Sequence, residues 1–171
     1  MSGELERSEL ERTGLEELSG RWRAAWQSGG FEACCTPDVG YEDPVTVEPL
    51  HGAEALEDLA AGVRGALPDL QLEATSPALG REGFACLPWR AVGTHTGDIG
   101  TLVPATNRFV TLHGLHYVEL SDGLVRRARG FFDLYDAAVQ LGMLPARGGL
   151  GEAAMLLVRG FGLRRPKPPP P

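Results

Sequence analysis

The chain has 171 residues, a net charge of −7 at neutral pH, and 43% hydrophobic and 23% charged residues. The length fits one domain and the composition fits an ordinary folded protein. The acidic balance argues against nucleic acid, whose phosphates need a basic surface, and no apolar run approaches the ~18 residues of a membrane span. The start carries Glu4, Glu6, Glu9, Glu11, Glu16 and Glu17 and lacks the apolar core of a secretory leader, so a cytoplasmic location is expected. Cys34, Cys35 and Cys86 are odd in number and show no Cys-x-x-Cys spacing. Buried reduced thiols are therefore expected, not a disulfide or a structural zinc site.

Residues 1–12 read as a disordered or frayed lead-in to a domain spanning 13–146. From Thr13, the positions Leu15, Leu18, Trp22, Ala25 and Trp26 recur at helical spacing until Gly29-Gly30. Residues 31–35 suggest a short second helix, and 39–43 a strand ended by Pro44. A clear helix is predicted over 53–67, with Leu56, Leu59, Ala60, Val63 and Leu67 on one face. Four strands are predicted next, over 70–78, 83–96, 108–120 and 124–135, the last two joined by Ser121-Asp122-Gly123. Asp-Gly between two strand patterns is a strong hairpin signal. A short helix over 137–141, an extra amphipathic helix within 147–165 and a proline-rich tail over 166–171 complete the chain. Helices first and long strands afterwards indicate an α+β fold whose sheet curves around the helices and leaves a pocket at its concave face.

Two groups could carry acid/base chemistry. Asp133 sits among Phe131, Phe132, Leu134 and Tyr135, where desolvation would raise its pKa and let it exchange a proton near neutrality. Its competing role is to cap the helix that follows, a job Asp136 could also do. His95 ends a strand whose alternate residues Ala85, Leu87, Trp89, Ala91 and Gly93 share its face. Small residues beside a tryptophan leave room for a flat ligand, although a hydrogen-bonded rim histidine is an equally good reading. His116 shares an apolar, inward set with Leu112, Gly114, Val118 and Leu120, where a lone histidine is more often a satisfied core residue, whereas His113 falls on the opposite, solvated face. No dinucleotide fingerprint, nucleophile elbow or helical histidine pair occurs, so neither cofactor nor metal is expected.

The motifs appear in a telling order. Tyr41-Glu42-Asp43-Pro44, His51-Gly52 before a helix, Leu67-Pro68-Asp69 and Trp89 ahead of Gly93-Thr94-His95-Thr96-Gly97 come first. Gly114-Leu115-His116, Asp122-Gly123, and Asp133 with Gln140-Leu141-Gly142 follow. This series resembles the SnoaL-like polyketide cyclases of the NTF2-like superfamily, from Trp22 to Pro145. The resemblance implies a cone of helices within a strongly bent, mixed or antiparallel sheet. It also implies ring closure by intramolecular aldol condensation without metal or cofactor. It makes Asp133 the acid/base carboxylate, His95 the histidine facing it across the pocket, and His116 a second polar group there.

Three departures stand out. Asn107 replaces a loop glycine, which it can do by adopting the left-handed conformation. Arg129 replaces an aromatic residue and has the strand parity of Asp133, and Pro88 interrupts a strand. Trp89, Arg129, Phe131, Tyr41, Trp26 and His116 are the expected substrate-lining residues. The substrate expected is a small hydrophobic or aromatic molecule, bound by a homodimer or homotetramer. Two rivals remain open. Epoxide opening would need a second carboxylate on Arg129. A non-catalytic binding module would have a pocket filled by its own side chains, or Asp133 tied up by backbone amides.

Overall fold

The computed structural model describes residues 2–81, 83–100 and 103–159, with 2–11 by backbone alone. Helix α1 spans Ser2–Ser28 and so takes in the charged segment 2–12 as well as the amphipathic stretch. That segment is rich in Glu, Leu and Arg, which favour helix. Gly29 and Gly30 end the helix at φ 87° and 95°, in the left-handed region. A single 3₁₀ turn, Phe31–Ala33, leads into β1, Cys35–Glu42. Then come β2 (Leu50–His51), α2 (Ala53–Ala66), β3 (Gln71–Ala74), β4 (Leu79–Arg81), β5 (Phe84–Thr94), β6 (Phe109–Ser121) and β7 (Leu124–Phe132). Two helices close the described chain, α3 (Leu134–Gln140) and α4 (Leu150–Val158). The expected helix end at 160–165 and the proline stretch 166–171 lie outside the described residues.

The strands form one mixed sheet in the order β2-β1-β7-β6-β5-β3, with β4 also on β5. Neighbours are antiparallel except for β1 and β7, which run parallel. The β6–β7 hairpin turns through Asp122 and Gly123 at φ 51° and 77°, as the Asp-Gly signal predicts. Asn107 does take the left-handed conformation, at φ 55°. Helices α1 and α2 cover the inward sheet face. Leu18, Trp22, Trp26, Leu56 and Ala60 pack there with Tyr41, Leu87, Val118, Val125 and Ala128 in the main core. This is the α+β architecture that the sequence predicts.

Strands β2 and β4 were not foreseen, because two or three residues are too few to show a period. The predicted strand over 70–78 stops at Ala74, and β4 resumes pairing at Leu79. Pro88 lies beside that gap, so β5 continues through it while still pairing with β6. β7 ends at Phe132, not at 135, because Asp133 caps α3 one turn earlier than expected.

Two glycines give opposite outcomes. A Cβ at Gly114 would collide with the Trp89 ring and the Phe131 carbonyl, whereas one at Gly65 on α2 meets nothing within 4 Å. Gly114→Ala should cost ~1–3 kcal/mol through overpacking, and Gly65→Ala should gain ~0.5–1 kcal/mol. Urea unfolding of both variants measures the difference.

Candidate functional site

The space between α2, α3 and the inward sheet face forms a cleft with two chambers. The inner one, about 130 Å³, is walled by Trp26, Tyr41, Asp43, Trp89, Ala91 and His116. The outer one, about 420 Å³, is walled by Leu59, His95, Ile99, Val110, Leu134 and Ala137. Val45, Val63, Leu67, Leu112 and Phe132 wall both, so the chambers adjoin. The lining is overwhelmingly apolar, as small-molecule sites are.

His95 is held in place by the C-terminal end of α2. Just before it, the Thr94 N–H and hydroxyl donate to the Asp69 carboxylate at 2.6 and 2.8 Å. Just after it, the Thr96 and Gly97 N–H groups donate to the Ala66 carbonyl at 3.1 and 3.2 Å. Gly97 packs so tightly on the Gly65 carbonyl that no Cβ would fit. The His95 ring is fully buried. Its Nδ1 lies 3.2 Å from the Thr106 backbone N–H and 3.0 Å from the Thr106 hydroxyl. A backbone N–H can only donate, so Nδ1 is the acceptor and the neutral ring carries its proton on Nε2. That Nε2–H has no partner among the described residues. The result is an unused donor on a buried ring that borders the apolar outer chamber.

His116 terminates the inner chamber. Trp26 stacks on it with centroids 5.6 Å apart, and the Trp22, Trp89 and Tyr41 rings surround it. Burial pushes its pKa down to about 3, so it is neutral. The Tyr41 hydroxyl donates to Asp43 Oδ2 at 3.0 Å and lies 3.5 Å from His116 Nε2. With its hydrogen directed at the carboxylate, that hydroxyl faces His116 through its oxygen, as an acceptor. Nε2 is therefore protonated, and Nδ1 keeps a lone pair without a partner. The indole N–H groups of Trp26 and Trp89 also lack partners.

Asp133 is not placed as the sequence reading expected. Its Oδ1 accepts from the Asp136 N–H at 2.9 Å as the α3 N-cap, and its Oδ2 accepts from Arg147 at 2.8 Å. The side chain is half exposed and lines neither chamber, although its neighbours Phe132 and Leu134 do. The Asp136 N–H and then the Arg147 guanidinium hold its carboxyl below the usual range, instead of burial raising it. The capping role, weighed above as the alternative, is the one the geometry supports.

Arg129 and Phe131 also turn outward, where the guanidinium lies 5.7 Å from the ring centroid. Arg129 pairs with Glu42 at 3.3 Å across the β1–β7 pair, in an open groove away from His95. The inward set on β7 is Ala128, Gly130 and Phe132. A bulge in the pairing with β6, after Glu119, reverses the parity beyond Val125.

Trp26, Tyr41, Trp89 and His116 line the inner chamber and His95 the outer one. The sequence reading missed Phe132, Asp43 and Thr106. Alternation from Ala128 and Gly130 pointed to Phe132, and the Tyr-x-Asp spacing pointed to Asp43. Nothing local signalled Thr106, which is brought to His95 where the Asn107 N–H donates to the His95 carbonyl. No cluster of three or more metal-ligating side chains occurs among the described residues, and no helix there is long and apolar enough to cross a membrane.

Two predictions follow from these environments. Asp133→Ala should lower the urea midpoint, while Asp133→Asn, an equally good cap, should retain most of it. His116 binds a proton far more readily unfolded, near its usual 6.5, than folded, near 3. Its burial thus costs nothing above pH 6.5 and is increasingly destabilising as pH falls from 6.5 toward 3. Urea unfolding from pH 7 to 4 should show that loss, and His116→Phe should flatten it.

A family model described as SnoaL-like polyketide cyclase matches residues 16–141. A candidate SnoaL-like polyketide cyclase from Jannaschia sp. CCS1 superposes with a TM-score of 0.68 at 18% identity, covering 78% of this chain and 94% of that one. AclR from Streptomyces galilaeus, a candidate hydroxylase, gives 0.64 at 25% identity over 88% and 93%. IdmH from Streptomyces antibioticus, a candidate polyketide cyclase, gives 0.62 at 20% identity over 74% and 96%. No curated protein matches significantly. The family model spans most of the sequence, and the sheet with its helix-covered cleft agrees with these structures. The chain belongs to the SnoaL-like polyketide cyclase family.

Proposed function

We propose that this protein is a cofactor-independent cyclase of polyketide-like small molecules, closing a ring by intramolecular aldol addition inside the cleft. The observation that carries this reading is the unpartnered Nε2–H of His95, fixed as a donor by Thr106 within apolar walls. A carbonyl oxygen satisfies it, and the bond strengthens as that oxygen gains negative charge during carbon–carbon bond formation. The walls supply the other contribution, by holding a flexible chain in its ring-closing conformation. Asp133 serves this site by anchoring α3, whose Leu134 and Ala137 form part of the wall.

A second reading, binding without catalysis, is favoured by one observation: Asp133 is tied up by a backbone amide and by Arg147. Epoxide opening gains less. Arg129 does have a carboxylate partner in Glu42, but both lie outside the cleft and Asp133 is not with them.

Infrared spectra of bound 2-tetralone, a bicyclic ketone, test the role of His95. The carbonyl stretch should move to lower frequency in the wild type and return toward its unbound value in His95→Phe. With a ring-closing substrate the same variant should lose ~10²-fold or more in turnover. An unchanged carbonyl band in the variant would place the carbonyl elsewhere.

A further inference from the structure

We propose that Asp43, Tyr41 and His116 form a proton relay that acts as the base of this cleft, with His116 Nδ1 as the atom that takes the proton from substrate carbon. The inference rests on the cyclase reading and deepens it by supplying the group that Asp133 does not. Two parts of the chain, Tyr41 with Asp43 and the distant His116, meet at one end of the inner chamber. Asp43 follows β1 and is held by its own turn, its Oδ1 accepting from the Val45 and Thr46 N–H groups at 2.9 and 3.0 Å. Its Oδ2 is left to the Tyr41 hydroxyl, and the hydroxyl oxygen faces His116 Nε2. On the other side of the ring, Nδ1 is buried and unpartnered, and His116 is only 5% exposed.

Gly130 makes this meeting possible. It lies opposite His116 in the β6–β7 register. A Cβ there would come within 2.8 Å of the Tyr41 hydroxyl, 3.0 Å of Asp43 and 3.5 Å of the His116 ring. An isolated buried imidazole is a poor base, because its cation has no compensation. A carboxylate reached through one hydroxyl removes that difficulty, since the positive charge need not stay on the ring.

The step balances as follows. The substrate C–H bond next to a carbonyl breaks, its electron pair becomes the enolate, and the proton goes to Nδ1. The Nε2 proton passes to the Tyr41 oxygen, and the Tyr41 hydroxyl proton passes to Asp43. The enolate carbon then bonds to a second carbonyl carbon, whose π pair becomes an alkoxide held by the Nε2–H of His95. The relay then runs back, Asp43 returning its proton to the Tyr41 oxygen and Tyr41 returning one to Nε2, while Nδ1 gives up the substrate proton to solvent and the alkoxide takes one from solvent, so the protein ends unchanged. The substrate class implied is an apolar diketone chain with an acidic C–H at the inner end and the accepting carbonyl at the outer end.

Exchange of the α-hydrogens of 2-tetralone for deuterium, followed by NMR, reads the proton-removal step without a ring-closing substrate. Wild type should accelerate exchange. Tyr41→Phe and Asp43→Asn should each slow it ~10²-fold or more, while quenching of Trp26 and Trp89 fluorescence shows unchanged 2-tetralone binding and thermal melting shows an intact fold. The Asn variant keeps the Oδ1 acceptor of the turn. Asp133→Asn should leave exchange unchanged. Wild-type exchange rates in Tyr41→Phe overturn the relay and leave the cyclase reading standing. Loss in Asp43→Asn alone makes Asp43 a direct base and also overturns it, as does loss in Asp133→Asn with Tyr41→Phe unaffected. Binding of 2-tetralone without acceleration by the wild type overturns the cyclase reading and the relay together, in favour of binding alone.

Discussion

Burying His116 without a charged partner in contact is the constraint around which the molecule is arranged. An imidazole at 5% exposure stays neutral, because burial disfavours its cation and no counter-ion touches it. Every layer contributes to that environment. The first helix supplies Trp22 and Trp26, β1 supplies Tyr41, and β5 supplies Trp89. The last strand contributes by omission, since Gly130 has no side chain to occupy the space. Rigid rings around a rigid ring leave a gap that does not collapse, and that gap becomes the inner end of the cleft.

The two histidines of the cleft have opposite hydrogen-bonding characters, although both are neutral rings. Thr106 supplies an N–H to the Nδ1 of His95, and so leaves it with a donor to offer. Tyr41 supplies an oxygen to His116, already committed as a donor to Asp43, and so leaves it with a lone pair. Second neighbours therefore decide what the first neighbours of a ligand can do. A ligand with an acceptor at one end and an acidic hydrogen at the other satisfies both rings; a hydrocarbon satisfies neither.

Much of this was legible in the sequence, because alternation along β5 and β6 is regular. Trp89, Ala91 and His95 fall on one side of β5, and Leu112, His116 and Val118 on one side of β6. The paired-strand signal of Asp122-Gly123 and the left-handed role of Asn107 were legible for the same reason: each is a local backbone requirement. Strand β7 was misread because Arg129 and Phe131 were given the parity of Asp133, whereas the strand beyond its bulge turns Ala128, Gly130 and Phe132 inward. Asp133 was misread for a different reason. Aromatic neighbours in sequence suggested burial, but a residue between a strand and a helix faces whatever the turn dictates. Here the turn leaves the carboxylate in solvent beside Arg147, which sequence distance concealed. Thr106 was beyond reach, since its contact with His95 depends on the backbone bond from Asn107 to His95.

The parallel pairing of β1 with β7 has a consequence for how the chain folds. Tyr41 lies opposite Ala128, so strands from the two ends of the sheet-forming sequence are neighbours. The α1 and α2 helices can form from local contacts alone, but closing the long loop between β1 and β7 costs entropy that is recovered only once the last strand arrives. In a growing chain α1 can pack on α2, β3 and β4, but Val125 and Ala128 join the core only when residues 124–132 have emerged. Until then Trp22 and Trp26 have only part of their shelter, and the inner chamber is among the last features of the molecule to exist.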